Sequence, residues 1–203
     1  VFERGPLLLF MRHATVVDTL LPAALVSRPY GIRLRYVLKQ ELRIDPCLDI
    51  VGDRMPNAFV RRGLADGSAE RERVIGLARD LGPRDGVVIY PEGTRFTPER
   101  RARILEKVAE KGDAARLATA ESFKHVLPPR LGGVMGLIDA APQADVVFCA
   151  HTGMERLTRL GDVFSGEVLG AQLRVRCWRV AAATSRRGGD GAERPAVAAG
   201  GRS

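Results

Sequence analysis

Gly86-Val-Val-Ile-Tyr-Pro-Glu-Gly-Thr-Arg95 opens as a run of strand formers and breaks at Pro91 into a turn that ends on a cation. A short apolar run bounded by turn residues reads as a buried strand. Here the strand Gly86–Tyr90 delivers a loop at its C-terminal end, which is where open α/β sheets bind their ligands. Gly93 permits a tight turn, Thr94 adds a hydroxyl, and Arg95 offers a planar fork matched to phosphate. Taken alone, the stretch fits equally a strand-to-helix turn with Arg95 in water.

Outward from this point the signals alternate. Upstream, Ser68 is placed to cap a helix, with Glu70 and Glu72 in its first turn. Val74, Leu77, Ala78 and Leu81 line one face of that helix, and Gly82-Pro83 is expected to end it. Downstream, a charged helix is predicted from Pro98 to Lys111, with Ile104, Leu105 and Val108 turned inward. Further out, Leu7–Met11 reads as a buried strand. A helical stretch from Val17 to Arg28 follows, with Pro22 in its first turn or bending it. Residues 48–62 read as strand and loop, because Gly52 and Pro56 interrupt them, and residues 126–138 read as loop around Pro128-Pro129 and Gly132-Gly133. Asp145–Cys149 is another strand. Leu173, Val175 and Cys177 alternate with Arg174, Arg176 and Trp178, the mark of a half-exposed antiparallel strand. The expected architecture is α/β, a mixed central sheet flanked by helices.

Residues 1–183 read as one folded unit. The Gly-, Ala- and Arg-rich stretch 184–203 has no apolar period and is expected to be disordered. The chain begins at Val1 in mid-pattern, so a preceding segment is expected. No stretch approaches the roughly 20 apolar residues of a membrane-spanning helix.

The 203 residues carry 32 Lys+Arg against 24 Asp+Glu, a net charge of +8, which favours an anionic partner: nucleic acid, a phosphorylated metabolite, CoA or an anionic membrane surface. Aromatic residues are only 5%, poor for a protein that stacks bases. Nothing resembles a helix-turn-helix, an RRM or a zinc finger, so no nucleic acid is expected. Cys47, Cys149 and Cys177 lie far apart without a CxxC pair, which indicates neither a metal site nor a disulfide framework.

Three further groups bear chemistry. His13 follows the first strand, and Asp18 stands five residues later. If the chain turns between them, the carboxylate fixes one imidazole nitrogen and leaves the other free to take a proton from a hydroxyl. Phe59-Val60-Arg61-Arg62-Gly63 sets two guanidiniums after an apolar pair. Val126-Leu127-Pro128-Pro129-Arg130 is a rigid apolar segment ending in a cation. Each alone is equally a helix start, a solvated loop or a surface turn.

In order, HxxxxD, F-V-x-R, P-E-G-T-R and an L-P-P-R loop resemble the glycerolipid acyltransferase family, which includes the 1-acylglycerol-3-phosphate and lysocardiolipin acyltransferases. The resemblance runs from about Gly5 to Asp139 and is closest at Tyr90–Glu99 and His125–Arg130. It implies the glycerol-3-phosphate acyltransferase-like fold and transfer of an acyl group from acyl-CoA, or acyl carrier protein, to the free hydroxyl of a lysophospholipid. It also implies association with the cytoplasmic face of a membrane, with no cofactor and no metal. His13 then matches the catalytic base and Asp18 its partner. Arg62 matches a contact to the acceptor's phosphate, and Glu92, Gly93, Thr94 and Arg95 match the glycerol-phosphate block. Pro129 and Arg130 match the fourth block. The sequence departs from the family with Arg12 where Asn is common, Thr15 where Ser is common, and Phe96 after PEGTR.

A rival resemblance exists. Leu7-Leu-Leu-Phe-Met-Arg-His-Ala14 and Asp145-Val-Val-Phe-Cys-Ala-His151-Thr-Gly153 are similar to the two strand-end histidines of the histidine phosphatases. There His13 would be phosphorylated, Arg12 would bind phosphate and His151 would complete the pocket, hydrolysing a phosphate ester. This leaves Asp18, PEGTR and LPPR without a role. A catalytically inactive lipid-surface protein and a thioesterase-like hydrolase are lesser alternatives.

Overall fold

The computed structural model describes residues 1–15, 17–44, 46–61, 67–155, 157, 162 and 170–182, without the side chains of residues 47, 48, 51 and 53. Six strands form one sheet: β1 Leu7–Met11, β2 Arg33–Lys39, β3 Ala58–Val60, β4 Asp85–Ile89, β5 Asp145–Thr152 and β6 Arg174–Val180. Their order is β3-β2-β4-β1-β5-β6. All neighbours are parallel except β5 and β6, so the sheet is mixed, as the sequence predicts.

β1 lies at the centre, with Leu7 opposite both Gly86 of β4 and Asp145 of β5. All five of its residues are buried, and they divide by parity. Leu8 and Phe10 join a core with Val74, Leu77, Ala78, Leu81, Val134 and Leu137. Leu7, Leu9 and Met11 join the opposite core with Leu21, Val26, Ile32 and Leu34. Successive strand side chains point to opposite faces, so an unbroken apolar strand demands cover on both sides. Helices α3 Ser68–Gly76 and α6 Leu131–Ala140 cover one face, and the helical turns between Val17 and Tyr30 cover the other.

Several expectations are corrected. The first half of residues 48–62 is helix, the end of α2 Pro46–Arg54; Ala58–Val60 alone of the described residues there is strand. Gly52 is tolerated inside α2 because Phe59 packs where its side chain would be; a Cβ there would lie 2.7 Å from Phe59 Cε2. Residues 126–138 are not all loop, since α6 begins at Leu131. Its Gly136 lets α3 approach closely, for a Cβ there would lie 2.6 Å from Ile75 Cγ1. Packing explains this glycine where its propensity does not. Gly67, not Ser68, occupies the N-cap of α3. That helix ends at Gly76 rather than at Gly82-Pro83; three tighter i→i+3 turns then carry Leu77 and Ala78 along the same face.

The stretch Val17–Arg28 is helical but not a single α-helix. A 3₁₀ turn spans Val17–Thr19, a π turn spans Ala23–Ser27 behind Pro22, and α1 spans Arg28–Tyr30. α4 spans Pro98–Ala109, capped by the Thr97 hydroxyl, which accepts from Arg100 N at 3.2 Å. Its Ile104, Leu105 and Val108 are only half-buried. Strand β2 and helix α5, Ala114–Ser122, complete the described elements. Among the described residues, no helix is long and apolar enough to cross a membrane. The stretch 184–203 lies outside the described residues.

Candidate active site

The C-terminal ends of β1, β4 and β5 lie side by side, because these strands are parallel neighbours. Each delivers titratable residues to the same edge: Arg12 and His13 after β1, Tyr90 and Glu92 after β4, and His151 at the end of β5.

The local sequence builds the carboxylate cradle. Asp18 opens the 3₁₀ turn after β1 and is fully buried. Its Oδ2 accepts from Ala14 N at 2.5 Å, from Thr15 N at 2.6 Å and from His13 Nδ1 at 3.3 Å. Its Oδ1 accepts from the Thr15 hydroxyl at 2.5 Å. Burial pushes this carboxyl up, but the hydrogen bonds from His13 and Thr15, with His151 nearby, outweigh it and hold the group below the ordinary carboxylate range. A carboxylate only accepts, so His13 carries its proton on Nδ1 and keeps a lone pair on Nε2. The His13 side chain is 15% exposed against 0% for Asp18, which makes the imidazole the member of the pair that a ligand can reach.

Main-chain bonds fix the histidine from a second side. His13 N donates to Glu92 Oε1 at 2.8 Å, and His13 O accepts from Phe96 N at 2.7 Å. The loop after β4 therefore folds back along His13 like a short extra strand. Glu92 is 5% exposed, and its second oxygen accepts from Leu127 N at 2.8 Å. Burial raises this carboxyl above its usual range, partly offset by those two N–H groups. Arg130 N donates to Pro91 O at 2.8 Å, and the Arg130 side chain lies over Gly93, where a Cβ would sit 3.0 Å from its Cδ. Gly93 has φ of 69°, a left-handed conformation that glycine adopts without strain.

Of the residues singled out in the sequence, His13, Asp18, Glu92, Gly93 and Arg130 are thus joined by named contacts. Thr94 and Arg95 are half-exposed in the same loop, and Pro129 stands beside Arg130. Arg62 lies outside the described residues. Sequence reasoning missed Tyr90, whose ring packs on His13 with centroids 4.6 Å apart and whose hydroxyl donates to Asp18 O at 3.0 Å. Its place directly before PEGTR was the available signal. Burial, aided by the Asp18 charge, drives the Tyr90 phenol far above its usual range, so the hydroxyl remains a donor.

The rival arrangement fares poorly. Arg12 spends one guanidinium nitrogen on His151 O at 2.7 Å and Glu155 Oε1 at 3.1 Å. The His151 side chain is 1% exposed. His151 is thus closed to a ligand, and one guanidinium nitrogen of Arg12 is engaged within the chain. Among the described residues, no cluster of His, Cys, Asp or Glu could hold a metal ion.

No solved structure matches the chain. The family model described as Acyltransferase matches residues 1–149, a span that takes in the His13–Asp18 pair, the PEGTR loop and the Leu127–Arg130 segment. With that match covering most of its length, the chain belongs to the acyltransferase family.

Proposed function

We propose that the chain moves a fatty acyl group from acyl-CoA, or from acyl carrier protein, to the free hydroxyl of a lysophospholipid such as 1-acylglycerol-3-phosphate, in phospholipid synthesis or remodelling. The observation that carries this reading is the His13 Nδ1–Asp18 contact of 3.3 Å at a sheet edge over which the PEGTR loop folds. In the scheme, His13 Nε2 takes the proton of the acceptor hydroxyl as its oxygen attacks the thioester carbonyl. Asp18 stabilises the imidazolium formed. The carbon–sulfur bond then breaks, and His13 returns the proton to the departing thiolate, so no acyl-enzyme forms. Arg62, Arg95 and Arg130, the last lying over Gly93, hold the acceptor's phosphate with Thr94 and supply positioning. Glu92 contributes through the main chain of His13. The scheme draws on no cofactor beyond the acyl donor.

The test is CoA release from an acyl-CoA, with and without 1-acylglycerol-3-phosphate or lysocardiolipin. Release should require acceptor and fall about 10²–10⁴-fold in His13→Ala with its fold intact. A His13→Ala variant that keeps its rate, or a wild type that hydrolyses phosphate esters instead, overturns the reading. Acceptor-independent release would mean a thioesterase. The +8 charge supports docking on an anionic membrane surface at the cytoplasmic face. Vesicle binding should then weaken as salt rises, and salt-insensitive binding would refute electrostatic docking.

A further inference from the structure

The acyltransferase scheme leaves one buried titratable group unused. His151 ends β5, outside the HxxxxD, PEGTR and LPPR segments. Its Nε2 lies 3.2 Å from Arg12 O and 3.4 Å from Asp18 Oδ1. Both neighbours are acceptors only, so Nε2 carries a proton; it donates that proton to Arg12 O and lies beside the Asp18 carboxylate. The link is reciprocal, because Arg12 Nη1 donates to the His151 carbonyl at 2.7 Å and Arg12 N donates to Cys149 O at 3.2 Å. Asp18 thus sits between two imidazoles, His13 on Oδ2 and His151 on Oδ1.

We propose that His151 is a positioning residue for His13: its Nε2–H holds the carbonyl of the residue before the base, and the ring lies against the carboxylate that orients it. This rests on the reading of His13 as the base. The geometry goes further than a filled core position. An apolar side chain of similar size would pack at the end of β5 without burying a polar ring, and a buried polar group is costly unless it is bonded. The bond made here ends on the peptide that leads into the base, and the same nitrogen lies 3.4 Å from the orienting carboxylate. Glu92 and Phe96 hold the main chain of His13 from the β4 side. His151 holds the same turn from the β5 side. The imidazole is thereby fixed from both neighbouring strands, which is what a base aimed at one hydroxyl requires.

The experiment compares wild type, His151→Leu and His151→Gln as full chains, with acyl-CoA and 1-acylglycerol-3-phosphate as substrates. Loss of the bond to Arg12 O, together with the polar ring beside the orienting carboxylate, should lower kcat roughly 10–100-fold in His151→Leu. KM values should stay within about 2-fold, since the substrate does not touch the residue. The Gln side chain keeps an N–H and should recover most of the rate. The chain has three histidines, His13, His125 and His151, so their ring resonances are separable by NMR. The Nδ1 proton of His13 should shift in the Leu variant and return in the Gln variant. Full activity in His151→Leu overturns the proposal. So does a loss with the His13 resonance unmoved, or one that Gln does not repair, because either marks a structural role. If the Leu variant does not fold, the wild-type spectrum decides: a proton on Nε2 of His151 supports the assignment and one on Nδ1 overturns it. If wild type transfers no acyl group, the acyltransferase scheme fails, while the His13 resonance still tests the coupling.

Discussion

Replacing Asp18 with Asn probes the site where its local chemistry is densest. The amide keeps the shape but has one acceptor oxygen and one donor nitrogen. Three N–H groups converge on Oδ2, from Ala14, Thr15 and His13, while Oδ1 faces the Thr15 hydroxyl and His151. Placing the amide nitrogen at Oδ2 would set it against three donors. At Oδ1 it meets a hydroxyl that can rotate and a His151 proton that still has Arg12 O. The Asn oxygen therefore faces His13, and the base keeps its tautomer. What disappears is the negative charge, so each bond falls from about 1.5–3 kcal/mol toward the roughly 0.5–1.5 kcal/mol of a neutral one. We expect kcat to fall roughly 10–100-fold at this orientation, against the ~10⁴-fold seen when such an amide enforces the wrong tautomer. Stability should drop by about 1–3 kcal/mol, a lowering of Tm of roughly 2–10 °C for a chain of this size. Acceptor-dependent CoA release and thermal melting measure the two effects. A variant retaining kcat within about threefold would refute the assignment of Asp18 as the orienting group.

The pH dependence follows from the same residue. The Asp18 carboxyl titrates lower folded than unfolded, so its contribution is present above the unfolded value and is lost as pH falls through the folded one; urea midpoints of wild type should decline as pH falls below about 4, and Asp18→Asn should flatten that decline. Tyr90→Phe removes the donor to Asp18 O but keeps the ring on His13. It should cost about 1 kcal/mol in urea unfolding and less than about 10-fold in kcat, a larger rate loss meaning that the hydroxyl touches the reaction. Gly136→Ala forces a methyl against Ile75 and should destabilise by about 1–3 kcal/mol without altering KM; an unchanged urea midpoint would show that α3 and α6 can part.

What was legible in the sequence divides by how local its cause is. Leu7–Met11 and Gly86–Tyr90 are uninterrupted apolar runs, and burial on both faces leaves that mark whatever surrounds them. The His13–Asp18 pairing was readable because five residues and one tight turn bring the groups together. The errors fall where a distant contact overrides local preference. Gly52 and Gly136 read as breakers because Phe59 and Ile75, which fill the space beside them, belong to other elements. β2 escaped notice because Arg33 and Arg35 break its apolar pattern: Arg33 stays in solvent beside Asp85, and Arg35 is held by Asp85 and by the carbonyls of Leu77 and Arg79, all far away in sequence. The double hold on Asp18 was invisible for the same reason, since His151 enters from the far end of the described core.

The central place of β1 has a consequence for synthesis. A ribosome delivers Leu7–Met11 before its partners: Gly86–Ile89 emerges some 75 residues later and Asp145–Cys149 later still. Until then five consecutive apolar residues hold open hydrogen-bonding edges, the kind of segment that pairs with other chains. A chain cut short before Asp145 keeps one of those edges bare and lacks the strand that brings His151 to the site. Such fragments should collect as aggregates, and the nascent chain carries the same bare edge from the synthesis of Met11 until that of Cys149.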